Sequence, residues 1–508
     1  MIEINKIYQE SLTKAKILAE EKPLVAEMVI NQFLKCFPDD LKGLKILYVI
    51  KNKLGVLQKT IEICERIIEI EPDDPDNFNN LGLTHFEYGN HEEAILNFEK
   101  AIKIDPNCYE FYNNISLQYA KINDFDKALK HAKRALEIEQ NSHNWYNVGC
   151  IYASKNDTVS AKKAFEESIK IDKNHAGSHY SMSHINFLQD NWDTGFKEHE
   201  WRFNFSEQLK IYKEVYDSKK RWKGECLDGK TIILWGEQGF GDVIHYVRFV
   251  KHVKKYDCKI ILNCPFALNE LLSKCEGVDD TINYDLAINP EQHKDLPSHD
   301  YHCPLMSLPY VLKVYETQDN SYISNKNNDI LDIIGFYPNT FNIGFSWQGN
   351  PVHLNDKTRS LNLEFFLPLQ KESENVQLFS LQLPMKKKIY PNNKHVYEYE
   401  HGQGNNYQLE KHEIVDLSPH IKNFNDMAKL VADLDLVITI DSALLHLTGA
   451  MDITCWGLIA YNPDPRWGLT GEDTFWYRSV RLLRQPKYQD WNNVYKEIER
   501  SLAHEGIL

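Results

Sequence analysis

The sequence predicts a helical repeat array followed by two parallel α/β lobes, an α plus α/β architecture. Three observations carry that expectation. Short motifs recur at a spacing of 34 residues through the N-terminal part of the chain. Beyond them, short apolar runs alternate with stretches of helical periodicity, the pattern of a parallel sheet covered by helices. A glycine-rich turn joins the first such run to the first such helix, in TIILWGEQGFGDVIHYVRF at 231–249. With 508 residues the chain exceeds one hydrophobic core. The patterns divide it into an array over 1–206, a first lobe with its joint and linker over 207–340, and a second lobe over 341–508.

The repeats come first in order. NNLG at 79–82 returns as NNIS at 113–116, YNVG at 146–149 and YSMS at 180–183. Ala94 returns as Ala128 and Ala161, and Pro38, Pro72 and Pro106 keep the same step. This is the period and pattern of tetratricopeptide repeats, an α-solenoid of helix pairs. Small residues fall where the two helices of a pair must pack closely, and the proline starts the next pair. One pair cannot bury its own apolar face, so the stack forms as a unit with a concave groove. Such a groove binds a protein or peptide, or the stack serves as a spacer or an assembly surface. Asn80, Asn114 and Asn147 hold one repeated position on the first helices. Their amides suit a bound peptide backbone and equally suit interhelix hydrogen bonds.

Residues 231–235 read as a buried strand and 259–263 as a second, with a helix over 266–275. Gly236, Gly239 and Gly241 allow a tight turn and close approach of a ligand to the backbone, with Gln238 on the same loop. The turn is neither a dinucleotide fingerprint nor a P-loop, because Asp242 stands where a P-loop carries lysine. A carboxylate there suits hydrogen bonding to a hydroxyl, or its deprotonation; it also suits a helix cap. DYHCPLMSLP at 300–309 reads as a compact loop with His302 as a structural hydrogen-bonder. The polar run 319–329 reads as the linker between lobes.

In the second lobe, 342–346 is a strand followed by a polar loop over 347–360. Lys357 and Arg359, two apart, can face one diphosphate, with arginine offering a planar fork. A strand over 375–381 ends at Gln382. Residues 385–412 read as a mobile surface insertion. DLVITIDSALLHLTGA at 435–450 reads as strand, turn and helix. Asp441-Ser442 then places a hydroxyl and unpaired N–H groups at a helix N-terminus, which favours an anion, with His446 one turn further. A plain cap with a packed histidine fits the same pattern. WGLIAYNPDPRWGL at 456–469 is the next strand-end loop, and a C-terminal amphipathic helix spans 490–503.

Composition excludes several classes. The formal net charge of −15 argues against nucleic acid as the main partner. The chain has no apolar run long enough for a transmembrane helix, and its start lacks the pattern of a signal peptide. Ten scattered cysteines without a C-x-x-C fit a reducing cytoplasm and make a metal site unexpected.

The motifs EQGFGD (237–242), HCPLMSLP (302–309), GFSWQGNP with NDKTRS (344–360), TIDSALLHLTGA (439–450) and PRWG with WYRSVRLLRQ (465–485) occur in a familiar order. Residues 228–503 resemble GT-B glycosyltransferases related to the heptosyltransferase family of lipopolysaccharide synthesis, in a bacterial subgroup with N-terminal tetratricopeptide repeats. The resemblance implies two Rossmann-like lobes and inverting, metal-independent transfer of a sugar from a nucleotide sugar to an acceptor hydroxyl. It makes Asp242 the general base and places Lys357, Asp441, Ser442 and His446 at the donor, with Arg359 and Gln382 added. No cofactor is implied. A protein acceptor held by the array is expected; a glycan or small-molecule acceptor, with repeats used for assembly, and a non-catalytic scaffold are the alternatives.

Overall fold

The computed structural model describes residues 2–206, 209, 220–284, 294–315, 321–324, 340–351, 353, 355–372, 375–389, 395–399, 409 and 411–508. They form two compact units, residues 1–178 with 389–394 and residues 179–388 with 395–508.

The first unit is built from helix pairs: α1 (Ile2–Glu21) with α2 (Pro23–Cys36), α3 (Leu41–Lys53) with α4 (Leu57–Ile70), α5 (Pro75–Tyr88) with α6 (His91–Ile104), α7 (Tyr109–Lys121) with α8 (Phe125–Ile138), and α9 (Ser142–Ser154) with α10 (Thr158–Ile171). The small residues do what their spacing implied. A Cβ on Gly82 would lie 2.7 Å from the ring of Phe98, and one on Gly149 would lie 2.4 Å from Phe165. Where the intervening pair carries Ser116 in place of glycine, the position sixteen residues on is Ala132 in place of phenylalanine, and both are fully buried. A larger residue on one helix is thus matched by a smaller one on its neighbour, which keeps the interior filled. The turns between helices repeat as well. Gly55, Gly89, Asn123 and Asn156 all adopt positive φ, at 68°, 89°, 63° and 59°. That conformation is open to glycine and tolerated by asparagine, whose short side chain hydrogen-bonds locally.

The second unit takes in most of α11 (Ala176–Leu188), then α12 (Trp192–His199) and α13 (Arg202–Phe205). The repeat pattern ends near 206, but the compact units divide at 178, and the reason is packing. Phe187 and Phe196 lie in the same buried core as Trp222, Ile232, Leu234 and Tyr246. Arg202, 1% exposed, donates from Nε to Glu237 Oε2 at 2.6 Å and from Nη2 to Glu237 Oε1 at 2.8 Å. It also donates to Ser307 Oγ at 2.8 Å and to Glu200 Oε1 at 2.8 Å. Glu200 in turn accepts from Arg221 and from Ser307. A helix pair that reads as the last repeat is therefore bonded into the loop that carries Asp242.

Two parallel sheets follow. The first comprises β1 (Lys220–Arg221), β2 (Thr231–Trp235), β3 (Lys259–Asn263), β4 (Asp280–Ile282) and β5 (Tyr301–Pro304), in the order β1-β5-β2-β3-β4. The run expected as a loop at 300–309 thus supplies a strand beside β2, because Tyr301–Pro304 is buried throughout. His302 is buried there and accepts from Trp235 Nε1 at 3.4 Å, the structural use expected of it. The second sheet comprises β6 (Phe341–Ser346), β7 (Val376–Ser380), β10 (Val415–Asp416), β11 (Leu436–Ile440), β12 (Cys455–Ile459) and β13 (Val480–Arg484), in the order β10-β7-β6-β11-β12-β13. Between β7 and β10, the strands β8 (Met385–Ile389) and β9 (His395–Tyr399) pair as a ribbon where a surface insertion is expected; His401–Asn406 lie outside the described residues. Within the expected linker, Tyr322 and Ile323 are not solvated. Their N–H groups donate to the Ala450 carbonyl, and the Tyr322 hydroxyl donates to the Ile244 carbonyl. Among the described residues no helix is long and apolar enough to cross a membrane.

Removing one partner of the Arg202–Glu237 pair leaves a buried charge uncompensated. Arg202→Met in the full chain is expected to cost about 3–5 kcal/mol in the unfolding of the second unit. Pairing it with Glu237→Leu should recover most of that loss. Denaturant unfolding of the two variants checks both outcomes.

Candidate active site

The turn after β2 leads into a short helix, Phe240–Tyr246, with Gly239 at its N-cap. Asp242 lies in its first turn and is half-buried, with Gln238 and Gly239 exposed beside it. The turn after β11 leads into a second helix, Ala443–Ala450, capped by Ser442, whose Oγ accepts from Leu444 N–H at 3.3 Å. These two helices pack directly on each other. A Cβ on Gly241 would fall 2.7 Å from His446 Cδ2 and 3.5 Å from Ala443 Cα. Glycine at 241 is thus required by the approach of the second helix.

That approach brings Asp242 to a group from the other lobe. Asp242 Oδ1 accepts from Arg466 Nη2 at 2.7 Å. Arg466 sits in the loop after β12, in a single 3₁₀ turn over Pro465–Trp467. Asp464 holds it with Oδ1 on Nε at 2.7 Å and Oδ2 on Nη2 at 3.2 Å. Burial alone would raise the Asp464 carboxyl; the Arg466 charge outweighs it and holds it down to about 2.

The fourth contact of Arg466 fixes the tautomer of His446. Its Nη1 lies 3.3 Å from His446 Nε2. Arginine only donates, so Nε2 accepts and the His446 proton sits on Nδ1. That N–H meets the Tyr477 hydroxyl at 2.8 Å, and the hydroxyl lies 2.9 Å from His245 Nδ1 and 3.5 Å from the Tyr322 hydroxyl. Burial, reinforced by the nearby arginines, pushes both histidines well below the ordinary imidazole value, so both are neutral. His446 is buried and stacks on Trp467 with ring centres 5.1 Å apart. Both of its nitrogens are engaged within the protein.

The remaining predicted residues divide into two groups. Arg359 is near this site: its Nη1 donates to the Asp441 carbonyl at 2.8 Å. Burial first, and the Asp464 charge second, push the Asp441 carboxyl up to about 6. Lys357, on the short helix Asp356–Arg359, is exposed and makes no ion pair among the described residues. Gln382 is buried, and its Oε1 accepts from Ser346 Oγ and from the N–H groups of Trp347 and Gln348 at 3.0, 3.2 and 2.8 Å. It shapes the turn after β6 and presents its edge to a cleft.

That cleft opens beside the two helices and encloses about 620 Å³ when the solvent-open space at its mouth is counted. Its polar lining includes Ser346, Gln348, Gln382 and Ser442; its apolar lining includes Phe240, Leu381, Leu383, Ile421, Met427 and Leu444. On its far side Glu270 of the first lobe accepts from Asn423 and Asn425 of the second, at 3.0 and 2.6 Å. In the first unit, Asn114 donates to Asn79 Oδ1 at 2.8 Å, an interhelix bond. Asn80 is half-buried, and Asn147 is buried with its Nδ2 unpartnered.

Part of the second lobe matches a known sequence family. Residues 390–493 match glycosyltransferase family 9 (heptosyltransferase). The match takes in Asp441, Ser442, His446 and Arg466; Asp242, Lys357, Arg359 and Gln382 lie before it. Residues 75–108, 109–142 and 142–175 match tetratricopeptide repeats. No curated protein matches the chain. Among solved structures the array is similar to a thermophilic tetratricopeptide-repeat protein of Thermus thermophilus, at 18% identity over 35% of this chain and 98% of that one, with a TM-score of 0.31. MamA from Desulfovibrio magneticus is similar at 16% identity over 34% and 97%, with a TM-score of 0.29. PilF of Pseudomonas aeruginosa is similar at 12% identity over 41% and 98%, with a TM-score of 0.34.

Gly241→Ala tests the contact between the helices. The added methyl meets His446 with no room to spare, so a loss of about 1–3 kcal/mol is expected from overpacking. Thermal unfolding of the full chain would show it as a lowered Tm, whereas Gly239→Ala, whose nearest neighbour would lie 3.7 Å away, should leave Tm nearly unchanged.

Proposed function

We propose that the second unit moves a sugar from a nucleotide-sugar donor to an acceptor hydroxyl, with inversion and without a metal, in a GT-B arrangement. The observation that carries this reading is the meeting of a candidate base from one lobe with a helix N-terminus and a mixed cleft from the other. The family 9 match over the second lobe supports it. Asp242 Oδ2 takes the acceptor proton as the acceptor oxygen attacks the anomeric carbon. The bond from that carbon to the phosphate oxygen breaks, and its electron pair leaves on the phosphate. The N-terminal end of the helix at Ser442, with Arg359 and Lys357, stabilises the departing charge. The apolar wall of Leu381, Leu383, Ile421 and Met427 suits a nucleoside, with Ser346 and Gln348 to fix its orientation.

The repeat array supports capture of a protein acceptor. Stacked helix pairs of this kind build an extended surface for a protein partner. Of the three repeated asparagines, Asn114 donates its amide to Asn79 and Asn147 is buried, so the array as a whole carries this reading rather than a ladder of amides. The reading places transfer on a protein hydroxyl and the enzyme in the cytoplasm.

Incubation with UDP-, GDP-, ADP-, dTDP- and CMP-linked sugars, read by nucleotide release, tests the activity. One donor should be consumed, and Asp242→Asn should slow that turnover about 10²–10⁴-fold while donor binding persists. Full turnover in that variant would remove the base. A pH dependence follows from Asp441, whose carboxyl gains a negative charge near pH 6 beside the anion site. Affinity for the released nucleotide should therefore weaken as pH rises through about 6, and Asp441→Asn should flatten the profile. Titration calorimetry across that range measures both.

A further inference from the structure

Arg466 has no assigned role, yet it is the group in direct contact with the candidate base. We propose that Arg466 is the positioning residue for the transfer, holding Asp242 Oδ1 from the opposite lobe so that Oδ2 faces the acceptor hydroxyl. The assignment rests on the sugar-transfer reading.

The geometry supports it from both sides. Asp242 has two oxygens, and the Arg466 contact at 2.7 Å anchors one and leaves the other for the acceptor. Arg466 itself has little freedom. Asp464 grips it through two nitrogens, and His446 accepts from a third. His446 is oriented in turn by Tyr477, Tyr477 by His245, and the imidazole is stacked on Trp467. The backbone of Arg466 is pinned as well, since its N–H donates to Asp464 Oδ1 at 3.0 Å. The links at Asp464, Asp242 and His446 are directed by the guanidinium, which only donates. Only a planar guanidinium serves here, because one side chain must present N–H groups to Asp464, Asp242 and His446 in different directions.

The arrangement also makes the base conditional. Asp242 belongs to the first lobe, while Arg466, Asp464 and His446 belong to the second. Parting the lobes breaks the 2.7 Å contact and releases the carboxylate from its orientation. The acceptor hydroxyl thus meets an aligned base only when the lobes are together, which couples closure to chemistry.

The test uses the full chain and the same donor panel. Arg466→Ala should lower turnover about 10²-fold with donor KM unchanged, the scale on which misplacing a reacting group acts. Methylguanidinium added to that variant should restore part of the turnover, and Arg466→Lys should restore little. The Tm shifts of Arg466→Ala and Asp242→Ala should not add in the double variant, because each single variant already lacks the Arg466–Asp242 contact. Donor consumption by the wild type that persists unchanged in Arg466→Ala overturns the assignment alone. So do additive Tm shifts, or a lost turnover that methylguanidinium leaves lost. No consumption of any donor by the wild type overturns the sugar-transfer reading and takes this assignment with it.

Discussion

Much of the second unit depends on one missing side chain. Gly241 lets the Ala443–Ala450 helix come so close that His446 occupies the space a Cβ would need. That approach sets the distance between the two sheets' loops, and through it the reach of Arg466 to Asp242. It also shapes the surroundings of His446. Pressed against a glycine on one side and Trp467 on the other, the imidazole acts through its two ring nitrogens on protein partners.

The two ends of the Asp242 loop are fixed by different means. Glu237, five residues before it, is held in a buried bidentate pair by Arg202, with Met306 N–H as a further donor to Oε1. Asp242 itself is held by Arg466. Both clamps are arginines and both are oriented by further carboxylates, Glu200 in one case and Asp464 in the other. The similarity is physical: a short loop rich in glycine has no side-chain packing of its own to stiffen it, so charged forks from neighbouring elements do so.

The repeat array was legible because its rule is local. Each pair needs a small residue facing a large one and a turn residue tolerant of positive φ, and both fall at a fixed step. The strands were legible for a related reason: buried parallel strands are short apolar runs, and β2, β3 and β11 lie within a residue of where the pattern puts them. Tyr301–Pro304 escaped because its polar neighbours and two prolines read as a turn, while its pairing to β2 is set by residues nearly seventy positions away. The site was legible only in part. Asp242, Ser442 and Asp441 stand at strand ends, where position alone marks them. Arg466 and Asp464 lie in a motif visible in the sequence, PRWG and the residue before it, but their meaning comes from a partner over two hundred positions upstream. Gln382 was read as a ligand contact; it lines the cleft, and its Oε1 also closes the turn after β6, a use that only the folded geometry reveals.

The position of the physical boundary at 178 has an evolutionary side. A repeat family changes by gain or loss of whole units, and each unit here is one 34-residue step, as in the match over 75–108. Such changes upstream of 178 leave Phe187, Phe196 and Arg202 untouched, and with them the core and the ion pair that brace the Asp242 loop. The helix pair after 178 has lost that liberty. It follows the repeat pattern in sequence, but its packing ties it to the two α/β lobes, so a change in its length would disturb the core and the ion pair that brace the Asp242 loop.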